Sequence, residues 1–197
     1  MSALAVEHLP AGGDDWDRLV SLWEEMDWPE GCRVEIIQGL ITVTPAPANR
    51  HNLIAADLNR ALAAEVPDEW AVFQTLAMAI PSRSGMYIPD VVVIPRAVVL
   101  DAKGENFVPA AAAELVVEIT SHSSLRHDRL VKPAGYARAG VPLYLLVDGF
   151  APGGPTITLY GEPKEDVYRV LQSGKFGETF HLPAPFDLDL STSDFPT

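Results

Sequence analysis

Two acids interrupt two apolar, strand-like runs, and a lysine follows them. Asp90 sits in Ile88-Pro89-Asp90-Val91-Val92-Val93, Glu118 in Leu115-Val116-Val117-Glu118-Ile119, and Lys132 lies downstream on a predicted helix. A carboxylate buried in such a run without a partner is costly. Two of them on neighbouring strands suggest a site for a hard divalent cation, which takes oxygen ligands. Such an ion neutralises anionic oxygens and acidifies water. A lysine ammonium, a compact point charge, steadies the attacking water or the developing charge. Together these groups are equipment for hydrolysing a phosphodiester. Strand periodicity puts Asp90 with Val92 and Ile94 on one face, and Glu118 with Glu114 and Val116 on one face of its own strand. If the two strands pair, both acids reach one pocket. Asp128 precedes Lys132 by four residues and shares its helix face, either orienting the lysine or pairing with it at the surface.

The elements that must position these groups follow from local pattern. Residues 1–13 read as a loose leader. Asp14 caps a helix through about Asp27, with Trp16, Leu19, Val20, Trp23 and Met26 on one face, and Pro29 and Gly31 end it. Trp16, Trp23 and Trp28 are expected in the core. Arg33 to Ile37 and Leu40 to Thr44, joined by Gln38-Gly39, form a tight hairpin. A second helix runs from about Asn49 to Val66. Trp70 to Ile80 is a strand broken near Ala77-Met78, and Tyr87 to Ile94 is the strand carrying Asp90. A loop spans 95–113, Glu114 to Thr120 is the strand carrying Glu118, and a helix follows the serine-rich turn at 121–124 to about Ala139. Pro133 either kinks that helix or delays its start. Gly140 ends it, and Leu143 to Asp148 is a further strand. Thr156 to Tyr160, Val167 to Leu171 and Glu178 to Leu182 read as a short antiparallel meander, and the last residues as an extended surface segment. The expected fold is mixed α/β: a mixed sheet with helices on both faces, in which residues 114–148 make a strand–helix–strand crossover.

A length of 197 residues fits one domain. A hydrophobic content of 48% with 21% charged residues is that of a folded soluble protein. The lone cysteine, Cys32, excludes an intramolecular disulfide and points to a reducing cytoplasm. No apolar run approaches the roughly 20 residues that span a bilayer, and the acidic N-terminal region, with Glu7, Asp14, Asp15 and Asp17, has no secretory pattern. The net charge of −13 is unusual for a partner of nucleic acid, whose affinity comes largely from Lys and Arg on phosphates. Residues 121–140 soften this: Arg126, Arg129, Lys132 and Arg138 face only Asp128, a local +3 that leaves −16 elsewhere. The expectation is weak DNA binding on one face through Arg126, Arg129 and Arg138, or a basic protein partner.

The ordered segments carry a resemblance. Ile-Pro-Asp90 before Val-Val-Val, Glu-Leu-Val-Val-Glu118-Ile-Thr-Ser, Asp128-x-x-x-Lys132, and Tyr136-Ala-Arg-Ala-Gly-Val-Pro-Leu-Tyr-Leu-Leu-Val-Asp148 stand in that order. With Glu35-Ile-Ile-Gln-Gly-Leu, Pro45, Pro47 and Arg50-His51, they resemble the bacterial restriction-endonuclease-like family within the PD-(D/E)XK nuclease superfamily. The likeness covers roughly residues 30–190. It implies a sheet of four or five strands flanked by helices, and Asp90 and Glu118 as ligands of Mg²⁺ or Mn²⁺. The superfamily lysine, two residues after the second acid, is here Thr120, so the resemblance implies that Lys132 supplies the ammonium from the next helix. Leu145 stands where the family usually has tryptophan. Glu35 is a candidate further carboxylate near the metal. His51 is a candidate for contacting phosphate or shuttling a proton.

Three functions compete on this reading. The first is a metal-dependent endonuclease cutting DNA by water attack, with a homodimer expected if both strands are cut. The second is a catalytically silent member of the same fold that binds nucleic acid or protein. The third, a two-carboxylate glycosidase, is disfavoured by the lysine and the small domain. Each singled-out residue also has an ordinary reading: a strand-start turn acid for Asp90, a solvent-facing strand residue for Glu118, a hairpin surface residue for Glu35, a surface helix lysine for Lys132, and a solvated or capping histidine for His51.

Overall fold

Near-unbroken apolar runs alternate with strands that are apolar on one face, and the chain sorts them into two sheets. The structure, a computed structural model, describes residues 4–5, 13–28, 30–102 and 104–196. In chain order the elements are β1 (Leu4–Ala5), α1 (Gly13–Glu25), β2 (Arg33–Ile37), β3 (Leu40–Thr44), α2 (Asn49–Glu65), β4 (Trp70–Phe73), β5 (Ala77–Ile80), β6 (Gly85–Tyr87), β7 (Val91–Pro95), α3 (Arg96–Asp101), β8 (Phe107–Pro109), β9 (Leu115–Ile119), α4 (Lys132–Ala139), β10 (Leu143–Asp148), β11 (Thr156–Lys164), β12 (Val167–Lys175), β13 (Thr179–Leu182) and β14 (Leu188–Ser191). A wide π-helical turn, His127–Val131, leads into α4. One six-stranded sheet has the order β1-β3-β2-β6-β5-β8, a second has β12-β11-β10-β9-β7-β4, and β13 pairs with β14. The expected mixed sheet is the second: β9 and β10 run parallel, joined through α4, while β7 lies antiparallel to β9.

The first sheet arises from two breaks that the sequence reading handled differently. The first falls at residues 74–76, ahead of the expected Ala77-Met78, and Thr75 there adopts a φ of 62°. The second divides the expected strand Tyr87–Ile94 into β6 and β7. Pro89 has no N–H to continue a ladder, and at Ile88-Pro89-Asp90 the chain leaves one sheet for the other. Asp90 therefore precedes β7 by one residue, with its N–H donating to Val117 O at 3.2 Å.

Three apolar clusters hold the layers. Leu19 and Trp23 of α1 pack on Val34 and Ile36 of β2, and the Trp23 indole donates to Val34 O at 2.8 Å. Between the sheets, Ile37, Met78 and Tyr87 meet Val92, Val116 and Tyr144, with Tyr136 of α4 among them. Below the second sheet, Ile54, Leu58 and Leu62 of α2 cover Val91, Val117 and Leu145, joined by Phe180 and Leu190 of the last hairpin. The β2–β3 turn is as expected: Gln38 and Gly39 both have positive φ, 54° and 78°, the two-residue turn that matches strand twist.

Four further expectations change. Segment 95–113 is not a plain loop, since it holds α3, β8 and a 3₁₀ turn, Ala110–Ala112. The third strand of the meander pairs with β14 rather than β12, because its Phe180 and Leu182 are drawn onto the core beneath the second sheet. Pro133 does not delay the helix start: residues 125–139 are continuously helical, and a wide π turn precedes the proline, with Lys132 N–H reaching His127 O. Trp28 is 38% exposed, edge-on against Trp23. The expected stop at Pro29 and most of the leader lie outside the described residues; Leu4–Ala5 pair with β3, and α1 includes Gly13, so Asp14 lies within the helix. Among the described residues, no helix is long and apolar enough to cross a membrane.

Trp23→Ala removes both the anchor of α1 and its hydrogen bond. We expect a loss of about 3–5 kcal/mol, read as a lower urea midpoint at unchanged slope. An unchanged midpoint would show that α1 lies outside the cooperative unit.

Candidate active site

The register between β7 and β9 sets the site. Val91 lies opposite Val117 and Val92 opposite Val116, so one step further Asp90 lies opposite Glu118. Both then share the face of Val92 and Val116, which points between the sheets. Glu35 enters from the first sheet: β2 turns Val34 and Ile36 toward α1, so Arg33, Glu35 and Ile37 face the other way. The π turn and α4 bring Asp128 and Lys132 over the same space, and the first turn of α2 brings His51.

Lys132 is the hub. Its Nζ lies 2.8 Å from Glu35 Oε1, 3.0 and 3.1 Å from the two Glu118 oxygens, and 3.9 Å from Asp128 Oδ1. The side chain is 2% exposed. Burial alone would lower its pKa, but Glu118, Glu35 and Asp128 together hold it well above the ordinary lysine range. Glu118 Oε1 also accepts from the Tyr136 hydroxyl at 2.9 Å, and Glu35 Oε1 from the Ile88 N–H at 2.7 Å. Asp90 has its own set: Oδ1 faces Arg33 Nη2 at 2.7 Å and His51 Nε2 at 3.0 Å, and Oδ2 accepts from the Ile119 N–H at 2.7 Å. Burial would raise its pKa, yet Arg33, His51 and that amide hold it well below the usual carboxylate range.

Glu118 and Asp128 are pushed the other way. Burial is the largest cause for both, opposed by Lys132 and reinforced by the neighbouring acids, and it carries Asp128 up to about 7. The Glu118 oxygens nonetheless meet only donors, which is the pattern of an ionised carboxylate. Asp128 Oδ1 is buried without a hydrogen-bond partner, a setting that disfavours the charged form.

The cavity over these groups, about 100 Å³, is lined by Arg33, Glu35, His51, Asp90, Glu118, Asp128 and Lys132, with Ser121, Ser124 and His127 toward the turn before α4. Four acids face two fixed cations, Arg33 and Lys132, so full ionisation leaves two excess negative charges. That excess, the oxygen donors and the orphaned Asp128 Oδ1 fit a hard divalent cation. No three His, Cys, Asp or Glu side chains among the described residues surround a common point, because Lys132 stands between Glu35 and Glu118 while Arg33 and His51 engage Asp90. A cation would take the place of these pairings.

Five expected residues thus converge: Asp90, Glu118, Lys132, Glu35 and His51. The three arginines do not. Arg126 is exposed, Arg129 clamps Asp148 through Nε and Nη2, and Arg138 pairs with Asp166, so the local +3 is largely neutralised by acids distant in sequence. Arg33 and Tyr136, which hold Asp90 and Glu118, are not among the expected residues. Arg33 alternates with Glu35 on one strand, and Tyr136 follows Lys132 by one helical turn, so each was reachable from the spacing of a residue already chosen.

A family model described as "Uma2: Putative restriction endonuclease" matches residues 23–193. Among solved structures, a "putative nuclease belonging to DUF820" from Anabaena variabilis superposes with a TM-score of 0.67 at 20% identity, covering 94% of this chain and 97% of that one. At that identity the likeness establishes the fold. Comparison with curated proteins returns no match. The family match spans most of the chain, including every residue that lines the cavity, and the chain belongs to the Uma2 family of restriction-endonuclease-like proteins.

Proposed function

We propose that this chain is a divalent-cation-dependent endonuclease that hydrolyses DNA phosphodiester bonds by attack of water. The observation that carries the reading is the Lys132 ammonium held between Glu35 and Glu118 beside Asp90. It supplies the two acids and the lysine of the PD-(D/E)XK arrangement, with the lysine arriving from α4 instead of β9. Asp90 and Glu118, with Glu35 beside them, would hold Mg²⁺ or Mn²⁺. When bound, the ion supplies positive charge against the phosphodiester oxygens and acidifies water.

The residues of the chain divide the remaining work. Lys132 stays an ammonium, so it is a hydrogen-bond donor toward the attacking water or the phosphoryl oxygens and not a base. Arg33 and the Ile119 amide fix the Asp90 carboxylate as an acceptor. Asp128, with its unpartnered oxygen and a pKa of about 7, is suited to take up a proton near neutrality. The Ser121 and Ser124 hydroxyls at the mouth are donors for phosphate oxygens. A cavity of this size admits an ion and its waters, so the scissile phosphate is presented from the mouth.

One observation favours a second reading. Arg129, Arg138 and Lys132 are all engaged by acids of the chain, and the net charge is −13. A catalytically silent module that binds a basic protein fits that charge. Plasmid and single-stranded DNA incubated with Mg²⁺ or Mn²⁺ separate the two. Cutting that disappears in Asp90→Asn supports the nuclease; no cutting with either ion by folded protein favours the second reading.

Asp90→Asn and Glu118→Gln are expected to lower cleavage at least about 100-fold with an unchanged circular dichroism spectrum. Wild-type rates in either would remove the metal-site assignment. In protein shown to be folded by circular dichroism, Lys132→Ala is expected to lower the rate by about 100-fold without weakening the affinity for Mn²⁺ in a titration; a normal rate would move the lysine role elsewhere.

Asp128 gives a pH signature. An acid whose folded-state pKa lies above its unfolded value costs stability as pH rises between the two, here from about 4 to about 7. In EDTA, Asp128→Asn should therefore be more stable than wild type at pH 8, by a margin that shrinks toward pH 4. Urea midpoints at both pH values read this directly, and a margin independent of pH would show that Asp128 is ionised throughout.

A further inference from the structure

Phe150 closes the turn after β10, and no role described above uses it. Its main chain is held at both polar atoms. The N–H donates to Asp148 Oδ1 at 3.0 Å, and the C=O accepts from Arg129 Nη2 at 3.0 Å. Asp148 is itself fixed by Arg129 Nε at 2.8 Å and by the Thr120 hydroxyl at 3.1 Å, and Thr120 Oγ1 accepts from the Gly149 N–H at 3.2 Å. This network immobilises a ring that stays partly exposed. The His122 ring lies 4.1 Å away, centroid to centroid, tilted by 45°. The Arg50 guanidinium sits over the Phe150 ring, 4.7 Å from its centre. Both His122 and Arg50 are exposed.

The cluster adjoins the candidate site along the chain, and Arg50 lines a second, smaller cavity together with His51, Ile119 and Thr120. Arg50 immediately precedes His51, which touches Asp90, and His122 immediately follows Ser121, which lines the cavity. A pre-positioned aromatic ring with an imidazole and a guanidinium around it is the chemistry that receives unstacked nucleobases, by stacking and cation–π attraction. It also answers the charge problem. With Arg129 and Arg138 paired to acids, phosphate neutralisation offers little affinity, whereas stacking does not depend on the backbone charge. A base inside a continuous duplex has both faces covered and cannot use such a platform.

We propose that Phe150, His122 and Arg50 form a platform on which a nucleobase of single-stranded DNA stacks beside the scissile phosphodiester, so that the substrate is single-stranded or locally unpaired. The inference rests on the nuclease reading for its substrate, but binding tests it without cleavage. A 12-nucleotide single strand with a central 2-aminopurine is titrated with the full chain in EDTA, beside the same strand annealed to its complement. The expected result is saturable quenching of the single strand, none of the duplex, and about tenfold or more weaker binding in Phe150→Leu, which keeps apolar bulk and loses the ring. Arg50→Ala, changed outside the packed turn, is expected to weaken the same signal. Equal binding by Phe150→Leu and wild type, equal response of duplex and single strand, or no quenching at all would each overturn the platform. Quenching without cleavage under Mg²⁺ or Mn²⁺ leaves the platform standing and removes the nuclease reading; cleavage without quenching removes the platform alone.

Discussion

Burying an ammonium takes it from water at a cost of several kcal/mol, which is recovered only with close, well-placed partners. Lys132 has them because Glu35 and Glu118 arrive from different sheets and meet at one point. The same contact joins three layers: β2 of the first sheet, β9 of the second, and the helix between. Tyr136 tightens the join one turn further along α4, and the Tyr144 hydroxyl donates to Asp128 O at 2.6 Å beneath it. The polar centre and the apolar core around Tyr87, Val92 and Val116 are therefore one packing unit, and neither can shift without the other.

The route of the chain explains why Asp90 sits beside the Lys132 contacts. At Ile88-Pro89-Asp90 the backbone crosses from one sheet to the other, and both of its N–H groups and the Asp90 carboxylate find partners there. Ile88 N–H binds Glu35, Asp90 N–H binds Val117 O, and the Asp90 carboxylate binds Ile119 N–H. Arg33 and His51 then hold Asp90 ionised from outside. The site is thus built at a seam, where irregular backbone leaves amides free to orient carboxylates. The π turn at His127–Val131 plays the same part on the far side, placing Asp128 close enough to sense Lys132 yet too far to share a hydrogen bond.

Much of this was readable in the chain because strand and helix periodicities are local. Asp90 and Glu118 could be assigned to the faces of Val92 and Val116 from alternation alone, and Lys132 to the helix after β9. The hairpin at Gln38-Gly39 followed from turn chemistry. What could not be read was long-range. Pro89 signals the end of a ladder but not that the next strand joins another sheet. The partners of Arg129 and Arg138, Asp148 and Asp166, lie far along the chain, so a segment that looks basic in sequence is nearly neutral in space. The clamp on Phe150 was hidden for the same reason, since Thr120, Arg129 and Asp148 belong to three separate elements.

The double duty of Lys132 bears on how such a site would decay under drift. Removing the lysine strands two buried carboxylates in one step, a fold defect that purifying selection acts on whether or not the chemistry matters. Replacing Asp90 by asparagine keeps the amide contact and the packing, and it unpairs only Arg33, whose side chain is 20% exposed and still reaches water. A lineage released from its activity would therefore shed the first acid early and keep the lysine long afterwards. In such a lineage Asp90, more than Lys132, is the residue whose persistence reports that the chemistry is still under selection.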